Sequence, residues 1–147
     1  MSKVFTIGFT EKTAESFFSL LKNSSAKKLI DVRLNKTSQL AGFAKREDLR
    51  YFLKEICDIE YIELPDLAPE PAMLKDYRNK LIDWARYEYL YTELMAKRSI
   101  EKRIDPNLIT DGCLMCSEHK PHHCHRRIAL EYLNSCWSAP LEIKHLF

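Results

Sequence analysis

Residues that could do chemistry are concentrated between Asp111 and Leu133, in the stretch DGCLMCSEHKPHHCHRRIALEYL. It holds three of the five cysteines and four of the five histidines of the chain. An apolar run, Cys113 to Cys116, is followed by a polar loop and then by a helical pattern of apolar residues. The stretch therefore predicts a strand, a loop and a helix N-terminus, the geometry at which open α/β sheets place their sites.

Two cysteines in this stretch favour a thiol or acid–base enzyme. Cys124 falls at or just before the predicted helix N-terminus, beside His125 and Arg126. A helix N-terminus and nearby cations lower the pKa of a thiol, and the thiolate is the reactive form. Cys116 ends the preceding strand, so the two sulfurs can be neighbours, and Glu118 is a candidate general acid or base. The simpler interpretation is that both cysteines are buried packing residues.

Zinc binding is a second interpretation of the same stretch. Cys113-x-x-Cys116 followed by Cys124 and His125 resembles half of a zinc site. Residues three apart on a strand point to opposite faces, however, which argues against Cys113 and Cys116 as a pair of ligands. A looser set remains open, with Cys116, Cys124 and a histidine from His119, His122 or His123. The preferred interpretation assigns no metal and no cofactor.

A third interpretation is a non-catalytic binding domain for a nucleotide or nucleic acid. The free N–H groups of a helix N-terminus bind anions, and Arg126, Arg33 and Lys120 could supply positive charge. Lys97, Arg98, Lys102 and Arg103 form a basic cluster that could extend such a surface, although a solvated helix face explains it more simply. Neither a nucleic-acid motif nor a glycine-rich phosphate loop is present, since Gly8 stands alone.

The elements that must position these residues alternate along the chain. We predict strands at 4–9, 29–33, 59–64, 113–117 and 141–146; a helix capped by Thr13, a helix at 45–57, two helices within 73–104 with a break near 83–89, and a helix at 123–136. Alternating strands and helices predict a three-layer open, mostly parallel α/β sheet of about five strands with helices on both faces. The chain is expected to form a single domain over residues 1–147.

Right-handed crossovers would bring the carboxyl ends of the strands to one edge of the sheet. That edge would carry Gly8, Asp31, Arg33 and the segment from Cys116 to His125. The residues that follow strand 29–33 include Asn35. Because ligands of open sheets bind where the strand order reverses, we expect these residues to converge there in one pocket.

The overall composition of the chain excludes few classes of function. The hydrophobic content of 46% and the charged content of 30% are ordinary for a globular protein. A net charge of +2 is too small to indicate a nucleic-acid partner by itself. No signal-peptide pattern precedes the first strand, and no apolar run approaches a membrane span, so we expect a cytoplasmic protein with reduced thiols. The oligomeric state is left open.

Several short motifs, in order, resemble the "domain of unknown function 488" family. They are Thr6–Ile7–Gly8–Phe9, Asp31–Val32–Arg33–Leu34–Asn35, Gly42–Phe43, Tyr61 to Leu67, Leu114 to Glu118, and Cys124–His125–Arg126. The resemblance implies a small α/β domain with a suspected site and little firm function. Cys113 lies outside the family pattern.

The preferred prediction is a small enzyme that acts on an anionic substrate, either phosphate-bearing or derived from nucleic acid. Its catalytic residues would be Cys116 or Cys124 as nucleophile and Glu118 or His125 for proton transfer, with Asp31 beside them. Its anion-binding residues would be Arg33, Arg126, Gly8 and Asn35.

Overall fold

The computed structural model describes residues 2–34, 42–116 and 124–147. Within them, five strands form one sheet: β1 Ser2–Gly8, β2 Lys28–Asp31, β3 Glu60–Glu63, β4 Gly112–Cys116 and β5 Leu141–Leu146. The strand order is β3-β2-β4-β1-β5, and all four pairings are parallel. The predicted open α/β fold is confirmed.

The central strand, β4, is buried along its whole length. Its sequence, GCLMC, is a continuous apolar run because helices cover both faces of the sheet there. The strand begins at Gly112, where a Cβ atom would lie 2.7 Å from Cδ1 of Ile30 and 3.0 Å from the carbonyl oxygen of Ile109. A side chain at the start of β4 would therefore require Ile30 and the Ile109 carbonyl to shift.

Two helical segments cover the first face of the sheet. They are α1, Ala14–Asn23, and α2, Arg46–Phe52, which a turn of π-helix, Leu53–Cys57, continues. Thr13 caps α1 as expected, since its Oγ1 accepts a hydrogen bond from Ser16 N at 3.1 Å. Their apolar residues pack with one side of the strands in the first-face core, which includes Phe17, Phe18, Leu49, Leu53, Leu29, Cys113 and Met115.

In the described part of the chain after β3 lie five α-helices: α3 Pro71–Arg78, α4 Trp84–Arg98, α5 Ile100–Arg103, α6 Pro106–Ile109 and α7 His125–Cys136. The second-face core includes Tyr87, Tyr91, Met95, Ile128, Leu130, Ile30, Val32, Leu114 and Cys116. Together the two cores give the three layers. No helix in the described part of the chain is long and apolar enough to cross a membrane.

The prediction of two helices within 73–104 was wrong, because the region holds three. The first break precedes the expected one, since Asp83 caps α4 by accepting a hydrogen bond from Arg86 N at 2.8 Å. The second break is at Ser99, whose φ is 53°. Among the aromatic residues of α4, Tyr87 and Tyr91 are buried at helical spacing, but Tyr89 is 55% exposed and does not pack on the sheet.

The chain changes direction between β1 and β4. It runs from β1 to β2 to β3 toward one edge over the first face, and from β3 to β4 to β5 toward the other edge over the second face. The helices that follow β1 and β4 in the described part of the chain, α1 and α7, therefore lie on opposite faces. Gly8 at the end of β1 is in register with Cys116 at the end of β4. These two strand ends border the crevice where ligands of open sheets bind.

Candidate functional site

Four buried residues at the end of β4 and the start of α7 form what we call the thiol cluster: Cys116, Cys124, His125 and Arg126. Cys116 is the last residue of β4, and Cys124 is the N-cap residue of α7. Their sulfur atoms are in contact, whereas their Cα atoms lie 7.7 Å apart. Disulfides usually have Cα separations of about 4.4–6.8 Å. We therefore describe the pair as neighbouring thiols, which a covalent bridge would join only after backbone movement.

Arg126 connects the two sulfurs. Its Nη1 donates to Cys116 Sγ at 3.2 Å and contacts Cys124 Sγ at 3.8 Å. The side chain of Arg126 is fully buried, and both cysteines are at most 2% exposed. A guanidinium held against sulfur stabilises the thiolate over the thiol. The arrangement therefore places a guanidinium against two buried sulfur atoms.

Cys113 shows what burial does without such a contact. It lies on the same strand, but it belongs to the first-face core, whereas Cys116 belongs to the second-face core. The expectation that these two side chains point to opposite faces is confirmed. Burial raises the pKa of the Cys113 thiol, and the more distant charge of Arg126 offsets this only in part. Cys113 is a packing residue.

His125 is held in one orientation by the neighbouring strand. Its Nε2 lies 2.9 Å from the carbonyl oxygen of Val32, which can only accept, so Nε2 carries the proton and Nδ1 keeps a lone pair. Burial and, to a smaller extent, the charge of Arg126 lower the pKa of His125 to about 4, despite the bond to Val32. The imidazole is therefore neutral at pH 7 and acts there as a weak base.

A second group, the acid–arginine cluster, consists of the buried residues Asp31, Arg33 and Phe9 and the half-buried Tyr61. Arg33 donates from Nε to Asp31 Oδ1 at 3.0 Å and from Nη2 to Asp31 Oδ2 at 2.9 Å. Tyr61 donates its hydroxyl to Asp31 Oδ2 at 2.5 Å, and the Arg33 guanidinium lies 5.4 Å from the centre of the Phe9 ring. Burial, reinforced by the bond to Asp31, raises the pKa of Tyr61, so this hydroxyl stays protonated.

One hydrogen-bond donor in this cluster, Nη1 of Arg33, has no partner among the described residues. The Arg33 side chain is 2% exposed. A buried N–H without a partner costs about 1–3 kcal/mol. Because the other edge of the guanidinium is committed to Asp31, Nη1 is available to an anionic ligand.

The two clusters share the carboxyl edge of the sheet but occupy different faces. Alternation along β2 puts Leu29 in the first-face core and Ile30 and Val32 in the second-face core, so Asp31 and Arg33 fall on the first-face side. Cys116 falls on the other side, and the bond between His125 and the Val32 carbonyl connects the two groups. Of the predicted site residues that the structure describes, all except Gly8 thus lie in two adjacent clusters. Gly8 is aligned with Cys116.

Some predicted site residues lie outside the described ranges. They are Glu118 and Asn35, together with the alternative ligands His119, His122 and His123 and the proposed anion-binding residue Lys120.

Sequence reasoning missed Lys12, which lies in the turn after β1. Its backbone N–H donates to the Phe9 carbonyl oxygen at 3.3 Å, and its side chain is half-buried. Burial lowers the pKa of Lys12 to about 8, and the charge of Arg126 adds to this effect. The available signal was position alone, because Lys12 follows a predicted strand at the edge where sites are expected.

A metal could also be held at the thiol cluster. One ligand atom each from Cys116, Cys124 and His125 lies within 4.8 Å of the others. Two thiolates and an imidazole suit zinc, but a structural zinc site takes four protein ligands, and the described part of the chain offers three here. Arg126 already brings positive charge to both sulfurs. A guanidinium beside both sulfurs would repel a metal cation, which argues against zinc. The histidines that could complete a zinc site lie outside the described ranges.

Half of the basic cluster at 97–103 has structural contacts. Arg98 donates from Nη1 to the carbonyl oxygens of Asp66 at 2.7 Å and Ala68 at 2.6 Å. Arg103 lies 3.8 Å from the Asp66 carboxylate. These arginines hold the loop after β3, so the cluster offers less free charge for a nucleic-acid backbone than its sequence indicated.

Comparison with known proteins gives one match. A family model described as "Domain of unknown function DUF488" matches residues 13–133. This range includes both cysteines of the thiol cluster. No curated protein and no solved structure matches the chain.

Proposed function

Since this chain belongs to the DUF488 family, a domain of unknown function, we propose a function from the site itself: an enzyme that uses the Cys116 thiolate as a nucleophile on an anionic substrate. The contact of Arg126 Nη1 with Cys116 Sγ at 3.2 Å carries this proposal. Cys116 is chosen over Cys124 because its sulfur is nearer the guanidinium and because it ends β4 opposite Gly8.

The proposed reaction is a displacement through a covalent intermediate. The Cys116 sulfur bonds to an electrophilic centre of the substrate while the bond to the leaving group breaks with its electron pair. The leaving group takes a proton from water. A water molecule then displaces the sulfur, which releases the product, a proton and the thiolate. Neutral His125 can accept that water proton through Nδ1, although only as a weak base.

The anionic character of the substrate is inferred from the acid–arginine cluster. Asp31 neutralises the charge of Arg33 and fixes its guanidinium, which leaves Nη1 as a directed donor. Such a fixed donor favours an oxyanion, because a charge-assisted hydrogen bond is stronger than a neutral one. We place the reaction in the cytoplasm, where thiols remain reduced.

The test is the alkylation rate of each cysteine in the native protein as a function of pH, with a small reagent such as iodoacetamide and mass spectrometry as readout. Cys113 is a built-in control, because it is buried three residues away on the same strand without the arginine contact. We expect Cys116 to be labelled at least tenfold faster than Cys113 at pH 7, since a stabilised thiolate reacts where a thiol does not. Equal slow labelling of both until unfolding would reject the thiol mechanism.

A non-catalytic nucleotide- or nucleic-acid-binding domain is the second proposal. The open Nη1 of Arg33 favours it, because anion binding needs that donor and no reactive sulfur. An inert Cys116 in a protein that still binds anions would support it.

A zinc site is the third candidate. Metal analysis of protein purified without chelators tests it. One equivalent of zinc that protects Cys116 and Cys124 from alkylation would show that these cysteines are metal ligands and not nucleophiles.

A further inference from the structure

A second cysteine lies beside Cys116, and the proposed function does not use it. Arg126 Nη1 lies 3.2 Å from Cys116 Sγ and 3.8 Å from Cys124 Sγ, so one guanidinium nitrogen contacts both sulfurs. The two sulfurs and a ring nitrogen of His125 all lie within 4.8 Å of one another. The pair joins two elements, since Cys116 ends β4 and Cys124 is the N-cap residue of α7. A thiol held this close to a reactive sulfur can react with its oxidised form.

The other three cysteines of the chain lie elsewhere. Cys113 belongs to the first-face core, on the opposite side of the sheet from Cys116. Cys57 is packed against that same first-face core. Cys136 is exposed and is the last residue of α7, at the far end of the helix from Cys124. Cys124 is therefore the cysteine that is placed to meet an oxidised Cys116.

From this geometry we propose that Cys116 is an oxidation site for hydroperoxides and that Cys124 resolves the oxidised sulfur as a disulfide. The inference rests on the proposed function, because it takes Cys116 as the reactive sulfur and adds a regulation of that sulfur. A sulfur in a disulfide has no thiolate to act as nucleophile, so oxidation switches the proposed reaction off and reduction restores it. Disulfides in reducing compartments are usually transient and serve catalysis or redox sensing.

The chemistry consumes one hydroperoxide, here hydrogen peroxide. The Cys116 thiolate attacks one peroxide oxygen, the O–O bond breaks with its electron pair, and the departing hydroxide takes a proton to become water. Cys116 is then a sulfenic acid, oxidised by two electrons. Cys124 loses its proton and its sulfur attacks the sulfenic sulfur, so the S–O bond breaks and the oxygen leaves as a second water. In total one peroxide is reduced to two waters while two thiols become one disulfide.

Closure of the bridge moves backbone as well as sulfur. The Cα atoms of Cys116 and Cys124 are 7.7 Å apart, whereas bridged cysteines usually have Cα separations below about 6.8 Å. The end of β4 and the start of α7 must therefore approach each other by about 1 Å. His125 begins α7 and is bonded to the carbonyl oxygen of Val32, which directly follows β2. Oxidation therefore also acts on the strand end that carries the acid–arginine cluster.

The experiment treats the full, reduced chain with hydrogen peroxide at pH 7, alkylates the remaining thiols in denaturant and maps the unreduced peptides by mass spectrometry. We expect a bridge between Cys116 and Cys124, formed at least about tenfold faster than Cys113 loses its thiol, and dithiothreitol should restore both thiols. All three cysteines are at most 2% exposed, so burial alone predicts no such difference. Full alkylation of Cys116 and Cys124 after peroxide, or bridges only between chains through Cys136, would overturn the proposal.

Two variants identify the resolving cysteine. Cys124→Ser leaves the sulfenic acid of Cys116 without a thiol partner, so dimedone should label Cys116 at least about tenfold more in this variant than in the wild type. Cys136→Ser is the matched control, because Cys136 is exposed outside the thiol cluster, and it should form the bridge at the wild-type rate. If Cys124→Ser does not fold, the peptide map of the wild type decides alone. Equal dimedone labelling of Cys116 in the wild type and in Cys124→Ser would reject Cys124 as the resolving residue.

The peroxide experiment and the alkylation test of the proposed function can fail separately. A Cys116 that alkylates fast but forms no bridge with Cys124 would reject the oxidation site and keep the nucleophile. A bridge that forms in a protein whose Cys116 alkylates as slowly as Cys113 would reject the enzyme and keep the redox pair.

Discussion

Each of the two clusters at the carboxyl edge buries an arginine, yet the two arginines have different partners. Arg33 makes a bidentate ion pair with a carboxylate, and Arg126 contacts two sulfurs. The two parallel hydrogen bonds to the carboxylate fix the position of the Arg33 guanidinium. A free thiol is mostly protonated at neutral pH, so under the proposed function the second contact would change the chemical state of the sulfur. The same side chain would then support geometry in one cluster and reactivity in the other.

The largest effect is expected where the ion pair is broken. Asp31→Asn removes the countercharge of Arg33, which is 2% exposed, and should lower the free energy of unfolding by about 3–5 kcal/mol. Urea unfolding at pH 7 measures it. The double variant Asp31→Leu/Arg33→Met is the control and should recover most of that loss, because no buried charge remains. A small loss in the single variant would mean that Asp31 does not act mainly as a countercharge.

Acid should destabilise the protein through His125 in the thiol cluster. Its pKa is about 4 in the folded protein, below the value of 6.5 expected when unfolded. The folded state therefore disfavours the proton, so this stabilisation is complete above pH 6.5 and is lost as the pH falls through 4. The loss at pH 4 is about 3 kcal/mol. His125→Gln keeps an N–H for the Val32 carbonyl without titrating, so its unfolding free energy should fall less between pH 7 and 4. Equal losses in both proteins would contradict the assignment.

Replacement of Arg126 tests whether that arginine controls reactivity. Arg126→Met should lower the ratio of Cys116 to Cys113 alkylation at pH 7 by about tenfold, equivalent to about 1.4 kcal/mol. Arg126→Lys retains a positive charge and should lose less. The ratio is measured by mass spectrometry on folded protein. An unchanged ratio in the Met variant would show that Arg126 does not control the reactivity of Cys116.

The smallest effect is expected at Tyr61. Tyr61→Phe removes the hydroxyl that Asp31 accepts, while both Arg33 contacts remain. The free energy of unfolding should fall by about 1 kcal/mol, the usual contribution of one hydrogen bond. Tyr51→Phe is the control, because Tyr51 is 62% exposed, and it should have no measurable effect. A loss as large as that of Asp31→Asn would show that the hydroxyl, rather than the arginine, compensates the buried carboxylate.

The sequence predicted the strands around the site better than the spatial arrangement of the side chains at their ends. Strand ends at Gly8, Asp31 and Cys116 follow from apolar runs, and the parallel sheet follows from their alternation with helices. The separation into two clusters depends on which face each side chain takes at the end of its strand. A shift of one residue in register reverses that face, and apolar patterns in strands buried on both sides do not report it.

Contacts between residues that are distant in the chain could not be predicted from the sequence for a related reason. Lys12 and Arg126 are brought close by the reversal of chain direction between β1 and β4, and local patterns do not define strand order. One break was expected near 83–89, and the break before α4 ends at its capping residue Asp83. The second break, at Ser99, was not predicted, because its left-handed backbone interrupts a stretch of continuous helical composition.

The strand that carries Cys116 depends on Gly112, a residue without a reactive side chain. A methyl group there would displace the Ile30 side chain and crowd a backbone carbonyl, at the other end of the strand that carries Cys116. In a saturation mutagenesis screen, position 112 should therefore tolerate replacement worse than an exposed glycine does. Gly42, where an added Cβ meets nothing within 4 Å, should accept alanine. Loss of function on replacement of Gly112 in such a screen would therefore reflect packing at the start of β4 and not contact with a substrate.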